Sequence, residues 1–133
     1  MQALQHLTIV DISGTIATCY CAKLFADYGA QVFNLESEEG FPTRKIKPFI
    51  PDTKESAMHG YLNTNKKSVR TLKHKELQIA DLVIFDQNID QIDESIIKTN
   101  TSAISWFGKT GPYNQFKGSD AMIQSLIGQV RTI

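Results

Sequence analysis

The sequence predicts an α/β fold of Rossmann type, with an open, mainly parallel sheet and flanking helices. Three observations support it: short apolar, β-branched runs recur along the chain, stretches with helical spacing separate them, and most runs end at a polar residue. This alternation is typical of parallel sheets built from β-α-β units. We expect an incomplete domain over residues 1–133, because the chain ends without a strand, a cap or a polar tail and the sheet looks truncated.

The first β-α-β unit is predicted from residues 7 to 35. Residues 7–10 form a short apolar, β-branched run that precedes Asp11, which indicates a strand buried on both faces. Residues 17–28 follow helical spacing, and Gly29 stands where a helix C′ glycine is expected. Gln31–Leu35 is the second strand, joined to the first by a right-handed crossover. The helix residues expected to form one apolar stripe are Cys21, Leu24, Phe25 and Tyr28.

Residues 37–54 are predicted to form a long surface loop, since they hold three of the four prolines and mixed charges. Loops of this length are usually functional or disordered. Residues 57–62 fit either a short strand or a helical turn. Further strands are predicted at residues 68–72, 82–85 and 102–107, and helices at 73–80, 87–100 and 118–130. The residues of the last helix expected to face inward are Ala121, Met122, Leu126 and Val130.

Composition excludes several classes of protein. Lys+Arg and Asp+Glu both number 14, which argues against a nucleic-acid partner. No apolar run approaches the roughly 20 residues of a membrane span, and the first residues lack the features of a signal peptide. Cys19 and Cys21 lie two apart on a predicted helix, where they cannot pair. We therefore expect reduced thiols and a cytoplasmic protein.

Catalytic, metal and dinucleotide sites are not predicted by residue type and spacing. The turn from Asp11 to Thr15 has one glycine where a dinucleotide fingerprint needs three. Glu36 lies at the distance expected of a ribose-binding acid, and it equally fits a plain acid at a strand end. The three histidines stand in polar contexts and are expected to be exposed and without a role: His6, His59 and His74.

Two motifs are made of residues that a hydrophobic core does not need. Asn-Thr-Asn-Lys-Lys-Ser at residues 63–68 offers turn-forming asparagines and adjacent lysines that could meet phosphate, or is a solvated turn before a strand. Phe-Gly-Lys-Thr-Gly-Pro-Tyr at residues 107–113 directly follows a predicted strand. Its glycines would let backbone pass close to a ligand, although an ordinary strand-to-helix connection also fits.

With these motifs the chain resembles the family III CoA-transferases, the CaiB/BaiF group, along nearly its whole length. The matching segments fall in order: the first strand with Asp11, residues 24–30, Glu36, residues 65–69 and residues 107–113. The resemblance implies a Rossmann-like large domain and interlocked dimers. We accordingly expect acyl-CoA or CoA as ligand and substrate, no covalently bound cofactor, and a homodimer or a complementary C-terminal chain as partner.

The resemblance also assigns site residues. It places Thr15, Ile16 and Ala17 at the thiol end of CoA, and Glu36 and Ser37 near the nucleotide. The segment from residue 65 to residue 73 would pass the adenine and the phosphates. The implied CoA-binding residues are Ile16, Ala17, Ser37, Asn65, Lys66, Lys67, Lys73 and Lys117, and the implied substrate loop comprises Gly108, Gly111, Ser119 and Asp120.

Departures from the family pattern limit the expected activity. Ala-Thr-Cys at residues 17–19 replaces Ala-Gly-Pro, Ser37 replaces a basic residue, and residues 86–91 lack an aromatic and a basic residue. Ser119 stands where racemases have a histidine. The catalytic aspartate of the transferases belongs to a segment beyond Ile133. We expect the N-terminal acyl-CoA-binding portion of a CoA-transferase, inactive as this chain alone, or a non-catalytic binding or assembly module.

Overall fold

A computed structural model describes residues 2–70, 79–86 and 100–130. Its strands are β1 (Thr8–Asp11), β2 (Gln31–Leu35), β3 (Lys67–Val69), β4 (Leu82–Asp86) and β5 (Asn100–Ile104). Its helices are α1 (Ile16–Asp27), α2 (Ala57–Leu62) and α3 (Asp120–Leu126), with a 3-10 helix at Pro42–Lys45. Two compact units result, Met1–Ala103 and Ile104–Ile133.

The sheet confirms the predicted parallel, Rossmann-like architecture. Its strand order is β3-β2-β1-β4-β5, with parallel pairing of β1 to β2, β1 to β4 and β2 to β3. Central β1 is the most deeply buried strand, and its Val10 pairs with Phe33 on one side and Val83 on the other. The carboxyl ends of β1 and β2 therefore meet at one edge, where ligands of open α/β sheets bind.

Helix α1 lies within one residue of its predicted bounds, but the predicted inward stripe is wrong. Leu24 and Tyr28 are 46% and 63% exposed, and Cys21 and Phe25 are only half-buried. Small side chains let a helix approach a sheet closely, so the large apolar ones lie on the outer and flanking faces. The residues that α1 buries are Thr18, Cys19, Ala22, Lys23 and Ala26.

Glycines and caps determine how the first elements join. Gly29 has φ +100° and its N–H donates to the Ala26 carbonyl, which confirms it as the C′ residue of α1. Gly14 has φ +64°, and a Cβ there would lie 2.0 Å from the ring of Phe41. The buried Phe41 thus ties the segment after β2 to the turn after β1.

The segment 37–54 is largely exposed, apart from buried Phe41 and Thr43 around the 3-10 helix. The ambiguous residues 57–62 form helix α2, because the Ser56 hydroxyl accepts a hydrogen bond from the His59 N–H and caps its first turn. No helix among the described ranges is both long and apolar enough to cross a bilayer.

In the second unit, α3 is shorter than the predicted helix and buries no residue. The expectation that Ala121, Met122, Leu126 and Val130 face inward is wrong, since all four are exposed. Helical spacing shows which residues share a face, and not whether a second layer covers that face.

The last predicted strand, 102–107, begins earlier, at Asn100, and ends at Ile104. Three predicted elements lie largely or partly outside the described residues: residues 71–72 of the strand 68–72, residues 73–78 of the helix 73–80 and residues 87–99 of the helix 87–100.

Candidate functional site

Asp11 organises the turn at the carboxyl end of β1. Its Oδ1 accepts hydrogen bonds from the N–H groups of Ser13 at 3.0 Å and Gly14 at 3.2 Å, which direct the chain into α1. The carboxyl group is fully buried. Burial raises the pKa of Asp11 and outweighs the opposing effect of these hydrogen bonds.

Glu36, directly after β2, is a buried carboxylate at the centre of a second group of hydrogen bonds. Its Oε2 accepts from Arg44 Nε at 2.6 Å and from the Phe41 N–H at 2.9 Å. Its Oε1 accepts from Arg44 Nη2 at 2.7 Å and from Ser68 Oγ at 2.6 Å. Burial opposes ionisation, but the hydrogen bonds from Arg44, Ser68 and Phe41 prevail and lower the pKa of Glu36 to about 2. This carboxylate therefore holds the loop after β2 against β3.

Lys66 directs its ammonium group into the first unit. The Nζ donates to the Cys19 carbonyl at 2.7 Å and to Asn63 Oδ1 at 3.2 Å. Asn34 Nδ2, from β2, donates to the same Asn63 oxygen at 2.7 Å. Burial lowers the pKa of Lys66, partly offset by the neighbouring Asp11 carboxyl. Lys66 thus connects α1, β2 and the segment before β3.

His59 is a polar core residue that sequence reasoning missed. The prediction of an exposed, unattached side chain is wrong: it is half-buried, with Nδ1 2.8 Å from Thr43 Oγ1 and 3.0 Å from Asn63 Nδ2. Burial lowers its pKa. The available signal was the i,i+4 spacing of His59 and Asn63, which places both on one helical face. His6, in contrast, is exposed as predicted, and His74 lies outside the described residues.

Cys19 and Cys21 are free thiols with different surroundings. Cys19 is fully buried and Cys21 is half-buried. Burial raises the pKa of Cys19 to about 12, so its thiol is a poor nucleophile. No group of three or more metal-ligating side chains is present within residues 2–70, 79–86 and 100–130.

Among the residues implied by the resemblance, those in the first unit fall into two groups. Ile16, Ala17 and Ser37 are exposed beyond the carboxyl ends of β1 and β2. Lys67 pairs with Phe33, in the middle of β2, and its Nζ lies 5.5 Å from the centre of that ring.

Asn65 lies just before the first residue of β3, at the end of that strand opposite the carboxyl edge. It has φ +63°, and its Nδ2 donates to Asp27 Oδ1 at 3.4 Å. Asp27 ends α1, close to where β2 begins, so Asn65 lies away from the carboxyl edge. Lys73 lies outside the described residues.

Arg70 is a basic residue at the carboxyl edge of the sheet that neither of the two sequence motifs includes. It directly follows β3, whose last residue, Val69, pairs with Leu35. The Glu36 N–H donates to the Val69 carbonyl at 2.9 Å, so the end of β3 and the residue before Ser37 are joined. Arg70 is exposed and offers a guanidinium group at the edge where Ser37 lacks a charge.

The other implied residues belong to the second unit. Gly108 and Gly111 have φ +81° and +97°, and a Cβ at either would meet nothing within 4 Å. Their backbone conformation, and not close packing, accounts for glycine there. Ser119 caps α3 through the Met122 N–H at 3.4 Å, with Asp120 in the first turn and Lys117 exposed before it. A Cβ at Gly118 would lie 2.4 Å from Trp106, which packs against it.

The sequence model of CoA-transferase family III matches residues 4–78, more than half of the chain. A subunit of the succinyl-CoA:(R)-benzylsuccinate CoA-transferase of Thauera aromatica is 28% identical, with 96% of this chain and 36% of the relative covered. The succinyl-CoA:mesaconate CoA-transferase of Haloarcula hispanica is 36% identical over 73 residues, covering 55% of this chain and 18% of the relative.

Solved structures agree with the fold. A CAIB/BAIF family protein from Brucella suis superimposes with a TM-score of 0.77 and 26% identity, and the match covers 94% of this chain and 39% of that protein. The chain thus spans little more than a third of this protein and of the Thauera relative.

Proposed function

Because the chain belongs to CoA-transferase family III, we propose that it forms the acyl-CoA-binding portion of an enzyme that transfers CoA between an acyl-CoA and a carboxylic acid. The observation that carries the proposal is the family match over residues 4–78, which includes β1, β2, β3 and the turns between them. Two similar proteins carry succinyl-CoA in their names, which makes succinyl-CoA the first acyl donor to test.

The proposed CoA site lies along the carboxyl edge of the sheet. Ile16 and Ala17 would flank the thiol end of CoA, since they are exposed in the first turn of α1, directly after the loop that follows β1. Ser37 and Arg70 would approach the phosphates, with Arg70 supplying the positive charge that Ser37 lacks. Lys66 would contribute indirectly, because the hydrogen bonds of its ammonium group hold the segment before β3 in place.

Lys67 is the first residue of β3 and Asn65 lies before that strand, so both are separated from the carboxyl edge of the sheet. They would contact the adenosine part only if CoA extends along β3. In the second unit, on the resemblance alone, we propose the acyl side for Gly108, Gly111, Ser119 and Asp120. Lys117 is proposed, on the same ground, as a CoA-binding residue near the phosphates. No covalently bound cofactor is proposed.

The chemistry would require a carboxylate that attacks the thioester carbonyl, forms a mixed anhydride and releases CoA as its thiolate. The two carboxyl groups at the ends of β1 and β2 are unsuited to this role. Asp11 is fully buried, and both Glu36 oxygens accept hydrogen bonds. The resemblance places the aspartate nucleophile of the transferases beyond Ile133. On that ground we propose that the nucleophile comes from outside these 133 residues, and that this chain alone is inactive.

A partner is proposed on the exposed outer face of α1. Tyr20, Leu24 and Tyr28 follow each other at four-residue spacing and are each 46–63% exposed. A second copy of the chain, or a complementary C-terminal chain, would cover such a stripe. Light scattering at micromolar concentration tests this part, and a monomer without any partner would contradict it.

Calorimetric titration of the chain with CoA, acetyl-CoA and succinyl-CoA tests the binding proposal. We expect saturable binding that Arg70→Ala weakens by about 10- to 100-fold, the equivalent of one charge-assisted hydrogen bond. Lys54→Ala, an exposed lysine in the loop after β2, is the matched control and should leave binding unchanged. Equal affinity in both variants would place the ligand elsewhere.

A non-catalytic binding or assembly module is the second candidate. It is favoured by two observations: Ser37 stands where a basic residue is usual, and the Lys66 ammonium group is engaged inside the fold. Absence of binding at millimolar CoA, together with a stable complex of two chains in light scattering, would select this candidate.

A further inference from the structure

The side-chain amide of Asn63 joins α2 to β2 and to the segment before β3. Its Oδ1 accepts hydrogen bonds from Lys66 Nζ at 3.2 Å and from Asn34 Nδ2 at 2.7 Å. Its Nδ2 donates to the His59 carbonyl at 3.0 Å and lies 3.0 Å from His59 Nδ1. An ammonium group only donates and a carbonyl oxygen only accepts, so these two neighbours fix the orientation of the amide independently of each other.

The orientation of Asn63 decides the role of the His59 ring nitrogen. An amide NH2 group donates and cannot accept, so His59 Nδ1 accepts from it. A ring nitrogen that accepts carries no hydrogen, and the hydrogen of the neutral imidazole then lies on Nε2. The opposite tautomer would set two N–H groups against each other, with their nitrogens 3.0 Å apart.

Thr43 contacts the same ring nitrogen from the 3-10 helix. Its hydroxyl oxygen lies 2.8 Å from His59 Nδ1, and on its other side it lies 4.0 Å from the Cys19 thiol. A hydroxyl can donate or accept, so the contact with Thr43 can persist whether or not Nδ1 carries a proton. Of the two side chains that contact Nδ1, Asn63 is therefore the one that cannot adapt to protonation.

A half-turn of the Asn63 amide does not restore the contact. It would direct the NH2 group at Lys66 Nζ and Asn34 Nδ2, which are both donors. It would also direct the amide oxygen at the His59 carbonyl oxygen. The polar groups on both sides thus hold the amide in one orientation.

We propose that His59 is held as the neutral imidazole with its hydrogen on Nε2, and that a proton taken up at Nδ1 separates Asn63 from His59. The contact between these two residues is then a pH-sensitive switch for the segment from Asn63 to Lys66. That segment leads from α2 into β3, which lies at one end of the strand order β3-β2-β1-β4-β5. Acidification loosens the attachment of this end strand to α2.

Charged groups from three segments act on His59. Burial lowers the pKa of His59, and the positive charges of Arg44 in the 3-10 helix and of Lys66 before β3 lower it further. Glu36, after β2, raises it. The Cys19 thiol, from α1, is neutral because burial raises its pKa to about 12. Arg44 and Lys66 therefore oppose a second proton on the ring.

The sign of the pH dependence follows from this direction. An imidazole whose pKa is lowered on folding contributes stability that is present above its unfolded value, 6.5. That stability is lost as the pH falls from 6.5 through the folded value. The contact between His59 and Asn63 should thus be intact at about pH 8 and should open in mild acid.

Nitrogen-15 NMR of the full chain tests the assignment directly. At about pH 8 we expect the chemical shift of an unprotonated nitrogen for His59 Nδ1 and that of a protonated nitrogen for Nε2. As the pH is lowered toward about 5, the signals of the Asn63 side-chain amide should shift with the same midpoint as the His59 ring. Three results would overturn the proposal: a hydrogen on Nδ1 at about pH 8, Asn63 signals that stay unchanged while the ring titrates, or a ring that stays neutral until the chain unfolds.

A non-titrating variant gives a second measurement. His59→Asn offers a carbonyl oxygen in place of Nδ1, which can accept from Asn63 and Thr43 without taking up a proton. Between about pH 8 and about pH 5, the urea midpoint should fall more in the parent than in His59→Asn. His6→Asn, at an exposed histidine, is the matched control and should keep the pH dependence of the parent.

Equal pH dependence of the parent and His59→Asn would contradict the proposed switch. The NMR measurement uses the unaltered chain, so it decides the question even if His59→Asn fails to fold. Neither measurement requires CoA, so their outcome is separate from that of the proposed function.

Discussion

The Glu36 cluster allows the most quantitative prediction. Glu36→Gln removes a buried charge that accepts four hydrogen bonds, three of them from Arg44 and Ser68 side chains. Lowering the pKa from 4.5 to about 2 corresponds to about 3 kcal/mol of stability at neutral pH. The Arg44 side chain is 46% exposed, which screens the pair, so we expect a loss of about 2–3 kcal/mol.

Urea unfolding followed by circular dichroism measures this loss. With a slope of about 2 kcal/mol per molar urea, the midpoint should fall by about 1–1.5 M. The pH profile gives a second test with a defined sign. A lowered carboxyl pKa contributes stability above its unfolded value, so the parent should lose it as the pH falls from 4.5 toward about 2, and Glu36→Gln should not.

The control is Glu39→Gln in the same loop. Glu39 contacts Lys45 at 3.5 Å, but both side chains are largely exposed, and the midpoint should not move. Equal midpoints for Glu36→Gln and Glu39→Gln, or parallel pH profiles of Glu36→Gln and the parent, would refute the claim that Glu36 clamps the loop to β3.

Two further predictions concern packing and reactivity. Gly14→Ala should lower the free energy of unfolding in urea by about 2–4 kcal/mol, because the new Cβ would meet the Phe41 ring and the φ of residue 14 is positive. Gly60→Ala in α2 is the control: its Cβ would meet nothing, and the free energy of unfolding should rise by about 0.5–1 kcal/mol. Equal effects would contradict the Phe41 contact. A thiol reagent at neutral pH should label Cys21 and leave Cys19 unreacted until the chain unfolds, since burial raises the Cys19 pKa to about 12. Rapid labelling of the folded Cys21→Ser variant, whose one thiol is Cys19, would contradict that burial.

The sequence predicted the elements whose signals are local. The β1 run, the helix ending before Gly29 and the Gln31–Leu35 strand all lie within one residue of their predicted bounds. Apolar β-branched runs, helical spacing and a left-handed glycine act over a few residues, so one sequence suffices to detect them.

Predictions that depended on a second layer failed. Apart from Lys23, the buried face of α1 consists of small residues such as Cys19 and Ala22, while its Tyr20 and Leu24 are about half exposed. Hydrophobicity alone ranks these residues in the opposite order. His59 and Lys66 each have one partner from a distant part of the chain, Thr43 and Cys19 respectively. No local pattern in the sequence shows these long-range contacts.

The central claim is that CoA binds at the carboxyl edge of the sheet, and amide chemical-shift mapping during a CoA titration tests it most directly. We predict saturable shifts at Ile16, Ala17, Ser37 and Arg70. The N–H of Leu4 and that of Leu7, which lie before β1 at the opposite edge, should remain unchanged. Shifts confined to residues 3–7, or no saturable shift at millimolar CoA, would contradict the account.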